Sequence, residues 1–311
     1  MKQYIGVDIG GTTVKAAVVD EKGKIVRRST IPTIPTRPFA EVAADIAKQI
    51  QELCAGEKIE SVGVGCPGAI DSASGVVLYS NNLYWTNVPL GEKLHALTGL
   101  PVRVSNDANV AALGEARFGA GKKYSDTVLV TLGTGVGGGI VVDGKLFEGY
   151  RGLGAEIGHT VVEADGVKCN CGRKGCLESY ASATALIRDT VFAMQTDRNS
   201  SMWEFVGGDL NKVDGRTSFE CAKKGDKTAQ SVVDRYLKYL AEGIGNIVNV
   251  FRSQAVILGG GVCAQGKYLT EPLQKLVDEY SYGADPQYNT EILIASLGND
   301  AGIIGAASLM M

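Results

Sequence analysis

Two stretches of this chain set glycines and threonines between strand-like runs, and they limit its fold more than any other feature. The first is Asp8-Ile9-Gly10-Gly11-Thr12-Thr13, between apolar runs at 4–10 and 14–20. The second is Leu132-Gly133-Thr134-Gly135-Val136-Gly137-Gly138-Gly139, between runs at 127–132 and 137–142. The flanking runs read as strands. Glycine lets the backbone turn tightly and approach a ligand closely. Freed N–H groups and the Thr12 and Thr13 hydroxyls can then point at phosphate oxygens. Asp8, at a strand end, could hold Mg2+ directly or through water. A third run, Gly259-Gly260-Gly261, follows an apolar strand at 255–258 and precedes a helical pattern. A single loop of this kind is equally well a plain hairpin. Three of them, each ending an apolar strand, point to phosphate binding.

A dinucleotide fold is the obvious rival, because 63–68 and 133–138 both match G-x-G-x-x-G. That motif requires a helix N-terminus directly after the glycines. The stretch 133–138 runs into a strand instead, and 69–75 reads as turn-rich. Both matches therefore fail, and no G-x-x-x-x-G-K-[ST] loop is present.

Around the loops the pattern is α/β. A third strand is expected at 25–33, a helix at 39–53 with Ala40, Ala43, Ala44, Ala47 and Ile50 on one side, and a buried strand at 61–65. Then come a helix at 89–97, a strand at 102–105 and a helix at 108–118. After the second glycine loop, helices are expected near 217–224, 228–251 and 267–280, a strand at 291–296 and a closing helix at 300–309. The segment 195–216 reads as a polar surface excursion. Two similar halves follow: residues 1–118 with the C-terminal helix at about 298–311, and residues 119–297.

Net charge is −3, so no broad basic field favours nucleic acid or anionic lipid. No cleavable apolar leader opens the chain and no apolar run approaches the ~20 residues that span a membrane. The expectation is a cytoplasmic protein without nucleic-acid or membrane partners. Seven cysteines suit a disulfide framework poorly. Cys54, Cys66, Cys221 and Cys263 read as ordinary thiols. The other three crowd together: His159, then Cys169-Asn170-Cys171-Gly172-Arg173-Lys174-Gly175-Cys176-Leu177-Glu178. Three thiolates and one imidazole suit tetrahedral Zn2+. Four protein ligands leave no open position, so such a site is structural.

Taken together, the Asp8–Thr12 loop, the 133–137 loop and the Cys-x-Cys-Gly-x-x-Gly-Cys-x-Glu stretch resemble the ROK family (repressors, open reading frames and kinases), and within it the glucokinase-type sugar kinases. The resemblance covers essentially the whole chain. It implies an actin-like, ribonuclease H-like ATPase fold, with two α/β domains around a cleft. It implies a hexose as substrate, most closely glucose, with N-acetylmannosamine, N-acetylglucosamine or another hexose as alternatives. ATP with Mg2+ would lie across Asp8, Gly10, Gly11, Thr12, Thr13, Lys15, Gly133, Thr134, Gly135, Gly137, Gly260 and Gly261. The sugar would meet Gly68, Ala69, Asn82, Asn106, Asp107, Glu156, His159 and Glu178, with His159 serving the zinc as well. Members commonly form homodimers. Repressor members carry an N-terminal helix-turn-helix; here the first strand begins at Tyr4, which favours the kinase branch over a sugar-responsive regulator. Asp107 matches the family's catalytic aspartate. Read without the family it would be a helix N-cap; within it, it is the base that accepts a sugar hydroxyl proton.

Overall fold

The first sheet follows from where the apolar residues fall. Strands β1 (Gln3–Ile9), β2 (Thr13–Asp20) and β3 (Ile25–Pro32) form an antiparallel meander in which Ile5 faces Val18 and Asp8 faces Lys15. β3 alternates half-buried and exposed along its length, as an edge strand with one wet face should. β4 (Val62–Cys66) lies parallel to β1 and is buried at every position, the continuous pattern of a strand covered on both faces. The computed structural model describes all 311 residues.

Helix α1 (Phe39–Cys54) covers one face of this sheet. Its buried stripe is Val42, Ala43, Ile46, Ala47, Ile50 and Leu53, and each large aliphatic among them contributes about 1.5–3 kcal/mol of burial. The alanine-based face expected from spacing is rotated from this one: Ala40 and Ala44 are exposed, because Val42 and Ile46 bury more apolar surface.

The stretch 69–75, expected as turns alone, contains a strand. β5 (Ala69–Asp71), β6 (Val76–Ser80) and β7 (Trp85–Val88) form a small antiparallel sheet. A strand of three residues shows no legible period, so only its pairing reveals it. The rejection of a dinucleotide motif stands, since no helix follows Gly68. Helix α2 (Leu90–Thr98) leads to β8 (Val102–Asn106), parallel to β4, and the sheet order is β3-β2-β1-β4-β8. Helix α3 (Asp107–Phe118) starts directly from the end of β8.

The second five-stranded sheet repeats that order. β9 (Thr127–Leu132), β10 (Val136–Val142) and β11 (Lys145–Phe147) precede β12 (Ala255–Gly259) and β13 (Glu291–Ile294), arranged β11-β10-β9-β12-β13. Two short helices, α4 (Glu178–Ala181) and α6 (Met202–Phe205), flank α5 (Ala183–Thr196); α7 (Thr217–Ala222), α8 (Lys227–Phe251) and α9 (Lys267–Tyr280) follow. Asp226 caps α8 by accepting the Ala229 N–H at 2.9 Å, and Arg252 ends it at φ 46°. Val233, Leu237, Leu240, Ile244 and Val248 form its buried stripe, at helical spacing. The segment 195–216 is more than a polar excursion. Met202, Val206 and Val213 are buried, and the Trp203 indole N–H donates to the Met194 carbonyl at 2.9 Å. Met202, Trp203, Phe205 and Val206 fall within five positions, and the four-residue helix there is too short to show a period.

The last helix, α10 (Ala301–Ser308), packs on β1, β4 and α3. Glycines make that contact possible. A Cβ at Gly6 would fall on the Ile303 carbonyl, one at Gly63 on the Ala306 carbonyl, and one at Gly305 on the Val110 carbonyl. By contact the chain forms two compact units: Met1–Leu129 with Gly138–Ala155 and Ala295–Met311, and Val130–Gly137 with Glu156–Ile294. From Gly138 onward the hairpin of β10 and β11 joins the first unit, where Gly139 lies against Ala108, Asn109 and Ala112 of α3. No helix is long and apolar enough to cross a membrane.

Candidate active site

In the first unit the β8-to-α3 junction builds a rigid acidic point. Asn106, not Asp107, is the N-cap: its Oδ1 accepts the N–H groups of Ala108 at 2.9 Å and Asn109 at 3.3 Å. Its amide also donates to the Gly68 carbonyl at 3.1 Å, tying the junction to the small sheet. Asp107 is thus the first helical residue, one oxygen (Oδ1) accepting the Ala108 N–H at 2.9 Å. Burial raises its carboxyl above the usual range, against the hydrogen bonds that lower it. Asp8, at the end of β1, is raised from 3.8 to about 6, first by burial and then by the Asp107 charge, while Lys15 opposes. The same two carboxylates, with burial, push the Cys66 thiol up. Asp8, Lys15 and Asp107 therefore share one electrostatic environment.

The first glycine loop lies on that group. Gly10 N–H donates to the Thr13 carbonyl at 2.9 Å, and Thr33 clamps the loop through its hydroxyl on the Gly10 carbonyl at 2.7 Å. Neither Gly10 nor Gly11 has a positive φ, so backbone conformation does not itself require glycine at either position. A Cβ at Gly11 would come only to van der Waals distance of Asn82, 3.7 Å, which brings Asn82 beside the loop. Gly68 is different: φ is 111°, and a Cβ would fall on the Tyr79 carbonyl. Ala69 opens β5 directly after it.

The second unit carries the other loops. Gly133 and Thr134 are held by the start of α5: the Ala183 N–H reaches the Gly133 carbonyl and the Thr184 hydroxyl the Thr134 carbonyl, both at 2.8 Å. Ser182 caps α5 through the Ala185 N–H at 3.1 Å. Gly260, at φ 97°, lies against the Leu132 backbone, so the third glycine run meets the second. Gly133 and Gly261 have ordinary φ and nothing within 4 Å of an added Cβ. Neither conformation nor internal packing requires glycine there, which leaves bare backbone facing open space, the surface a phosphate needs. Gly137 donates its N–H to Thr131 Oγ1 at 3.2 Å.

Glu178 sits where loop and cysteine cluster meet. Its Oε2 accepts the Val136 N–H at 3.0 Å, its Oε1 is 3.7 Å from Cys169 Sγ, and a Cβ at Gly135 would fall on its carboxylate. The turn Glu156 to His159 packs there too, the His159 N–H donating to the Glu156 carbonyl at 3.1 Å and Gly158 lying on the Val136 carbonyl. One donor atom from each of His159, Cys169, Cys171 and Cys176 lies within 4.8 Å of the other three. Cys171 and Cys176 Sγ are 3.6 Å apart, and Cys169 Sγ is 3.8 Å from His159 Nδ1. Four ligands around an ion with metal–sulfur bonds of about 2.3 Å have edges of about 3.8 Å, so the cluster is spaced for tetrahedral coordination. Gly172 and Gly175, at φ 94° and 78°, fold the loop around it.

The candidates thus gather in two groups. Asp8, Gly10, Gly11, Thr12, Thr13, Lys15, Gly68, Ala69, Asn82, Asn106 and Asp107 belong to the first unit. Gly133, Thr134, Gly135, Gly137, Glu156, His159, Glu178, the three cysteines, Gly260 and Gly261 belong to the second. Sequence reading missed the residues that brace the loops: Thr33, Thr131, Ser182 and Thr184. Ser182 carried a legible signal, a capping serine before a helix.

The family model described as ROK family matches residues 4–311. A glucokinase of Thermotoga maritima is 41% identical over 311 residues, 99% of this chain and 97% of the relative. Among solved structures, a ROK family glucokinase from Streptomyces griseus in complex with glucose and AMPPNP has 36% identity and a TM-score of 0.80, over 99% of this chain and 98% of its own. A ROK hexokinase from Thermus thermophilus has 32% identity and a TM-score of 0.83, over 98% and 96%. With the repeated sheet order, these neighbours make the fold the actin-like ATPase fold. The match runs from the first strand to the last residue, through all three glycine runs and the cysteine loop, and on that ground the chain belongs to the ROK family.

Proposed function

We propose that this protein phosphorylates a hexose with ATP, glucose to glucose 6-phosphate before others, with Asp107 as general base. One observation carries the reading: Asn106 takes over the capping of α3 and leaves a half-buried Asp107 carboxylate, in the electrostatic reach of Asp8, with no structural duty that an asparagine cap would not already meet. Full-length similarity to glucokinases supports the substrate class.

Phosphoryl transfer depends on positioning and charge neutralisation more than on covalent chemistry. Asp107 Oδ2 would take the proton of the sugar hydroxyl as that oxygen attacks the γ-phosphorus. In a loose transition state the proton leaves late, so orientation matters more than basicity. The raised carboxyl helps all the same. Asn82, Asn106, Glu156 and Glu178 offer the paired donors and acceptors that read sugar hydroxyls, Gly68 and Ala69 would line the pocket, and His159 would serve both zinc and sugar. Backbone N–H groups at 10–13, 133–137 and 260–261 would bind the phosphates, with Lys15 adding charge. Mg2+ at Asp8, direct or through water, would neutralise phosphate charge. Zn2+ fits His159, Cys169, Cys171 and Cys176, and there it supplies rigidity to Glu178 and His159 rather than chemistry. A cytoplasmic homodimer belongs to the same reading.

The test is coupled ADP release over glucose, mannose, N-acetylglucosamine and N-acetylmannosamine. Glucose should give the highest kcat/KM, and Asp107→Asn should lower kcat at least ~100-fold with little change in sugar affinity. Near-normal turnover by that variant would remove Asp107 from the chemistry.

A further inference from the structure

We propose that the Asp71–Arg151 ion pair is a positioning device for the sugar site, which locks the segment 148–155 against the strands that carry Ala69 and Asn106. This role rests on the kinase reading above.

Asp71 ends β5, the strand that Ala69 opens, and is only 1% exposed. Its Oδ2 binds Arg151 Nη2 and the Ser74 hydroxyl, the latter at 2.7 Å, while Oδ1 has no partner. Arg151 and Ser74 hold this carboxyl below its usual range. A buried charge with one counterion depends on that counterion. The backbone is tied too: the Ser72 N–H donates to the Arg151 carbonyl at 3.2 Å, and a Cβ at Gly152 would lie 2.7 Å from the Ile70 carbonyl.

The other end of the segment is held to the catalytic strand. Glu148 accepts the Ser105 hydroxyl at 2.5 Å and Arg103 Nη2 at 3.1 Å. Ser105 directly precedes Asn106 and Asp107. Two carboxylates therefore fasten one segment to the two strands that carry Ala69 and Asn106.

The segment needs such ties. Arg151 stands at φ 57° and Ala155 at φ 64°, a region that L-residues keep only when their surroundings enforce it. An open cavity of about 840 Å³ borders it, with Gly149, Arg151 and Gly152 in its wall. Close packing is thus absent on that side, and polar contacts hold the conformation.

Arg151→Gly isolates the pair, because glycine accepts φ 57° without penalty. We expect the KM for sugar to rise about tenfold with kcat and the KM for ATP within about twofold of wild type, and Arg151→Lys to recover part of the loss. Asp71→Asn, judged by the same constants, serves if Arg151→Gly fails to fold. A sugar KM unchanged in the variants, or a KM for ATP rising in parallel, would overturn the role while leaving the kinase reading intact. A wild-type protein that releases no ADP with any sugar would overturn both.

Discussion

At the scale of single residues, Asp8 sets a conflict between stability and function. A carboxyl whose pKa lies at about 6 in the folded protein and 3.8 outside it binds its proton more tightly when folded. Its contribution to stability is complete below about pH 3.8 and is lost as pH rises through about 6. At pH 8 the ionised, half-buried Asp8 should therefore destabilise the ligand-free, metal-free protein by on the order of 3 kcal/mol. Asp8→Asn is expected to raise the melting temperature at pH 8, with the gain vanishing near pH 4, and to lose turnover. Thermal melts from pH 4 to 8 check it; a variant no more stable than wild type at pH 8 would contradict the burial argument. Asp107 is raised in the same direction, so the acid limb of kcat should fall above the ordinary aspartate range.

At the scale of elements, loops that look alike in sequence differ in what their glycines do. Gly260 cannot carry a side chain, since the Leu132 backbone occupies the space; Gly133 and Gly261 can. Gly133→Ala should fold normally, with a melting temperature within about 2 °C of wild type, yet raise the KM for ATP several-fold. An unchanged KM would mean that no phosphate approaches there. The cysteine loop invites a parallel experiment. Cys171 is its exposed cysteine, so Cys171→Ser removes a thiol without opening a cavity. Purified protein should hold about one zinc per chain, and the variant should hold less, melt lower and bind sugar more weakly. Metal content below about half an equivalent in wild type, with an equally stable variant, would reject the structural zinc.

At the scale of the whole molecule, the last residues complete the first unit. Helix α10 lies so close to β1, β4 and α3 that Gly6, Gly63, Gly114 and Gly305 each abut a backbone carbonyl. Backbone cannot move aside as a flexible side chain does. Gly305→Ala is therefore expected to destabilise by about 3 kcal/mol, measured by denaturant unfolding, although residue 305 lies far from Asp8 and Asp107 in sequence. A loss below about 0.5 kcal/mol would show that the helix shifts freely. Glu115 adds a polar fastening to this closure: buried in α3, it accepts the N–H groups of Ala120, Ser296 and Leu297 at 2.7–3.1 Å.

Local chemistry made much of this legible. The glycine-threonine loops, the strands around them and the histidine-cysteine cluster are each written within a few residues, and turn geometry and ligand spacing are short-range properties. The family resemblance then named Asp107. Tertiary structure alone decided the rest. It showed which side of α1 is buried, since Val42 and Ile46 rather than Ala40 and Ala44 meet the sheet. It gave the capping of α3 to Asn106, a choice between neighbours that composition does not reveal. It disclosed the three-residue strand β5 and the Asp71–Arg151 pair, because an ion pair across 80 positions leaves no periodic trace. Spacing along a chain records what a segment can do by itself; burial and partnership depend on what the remainder of the chain brings to it.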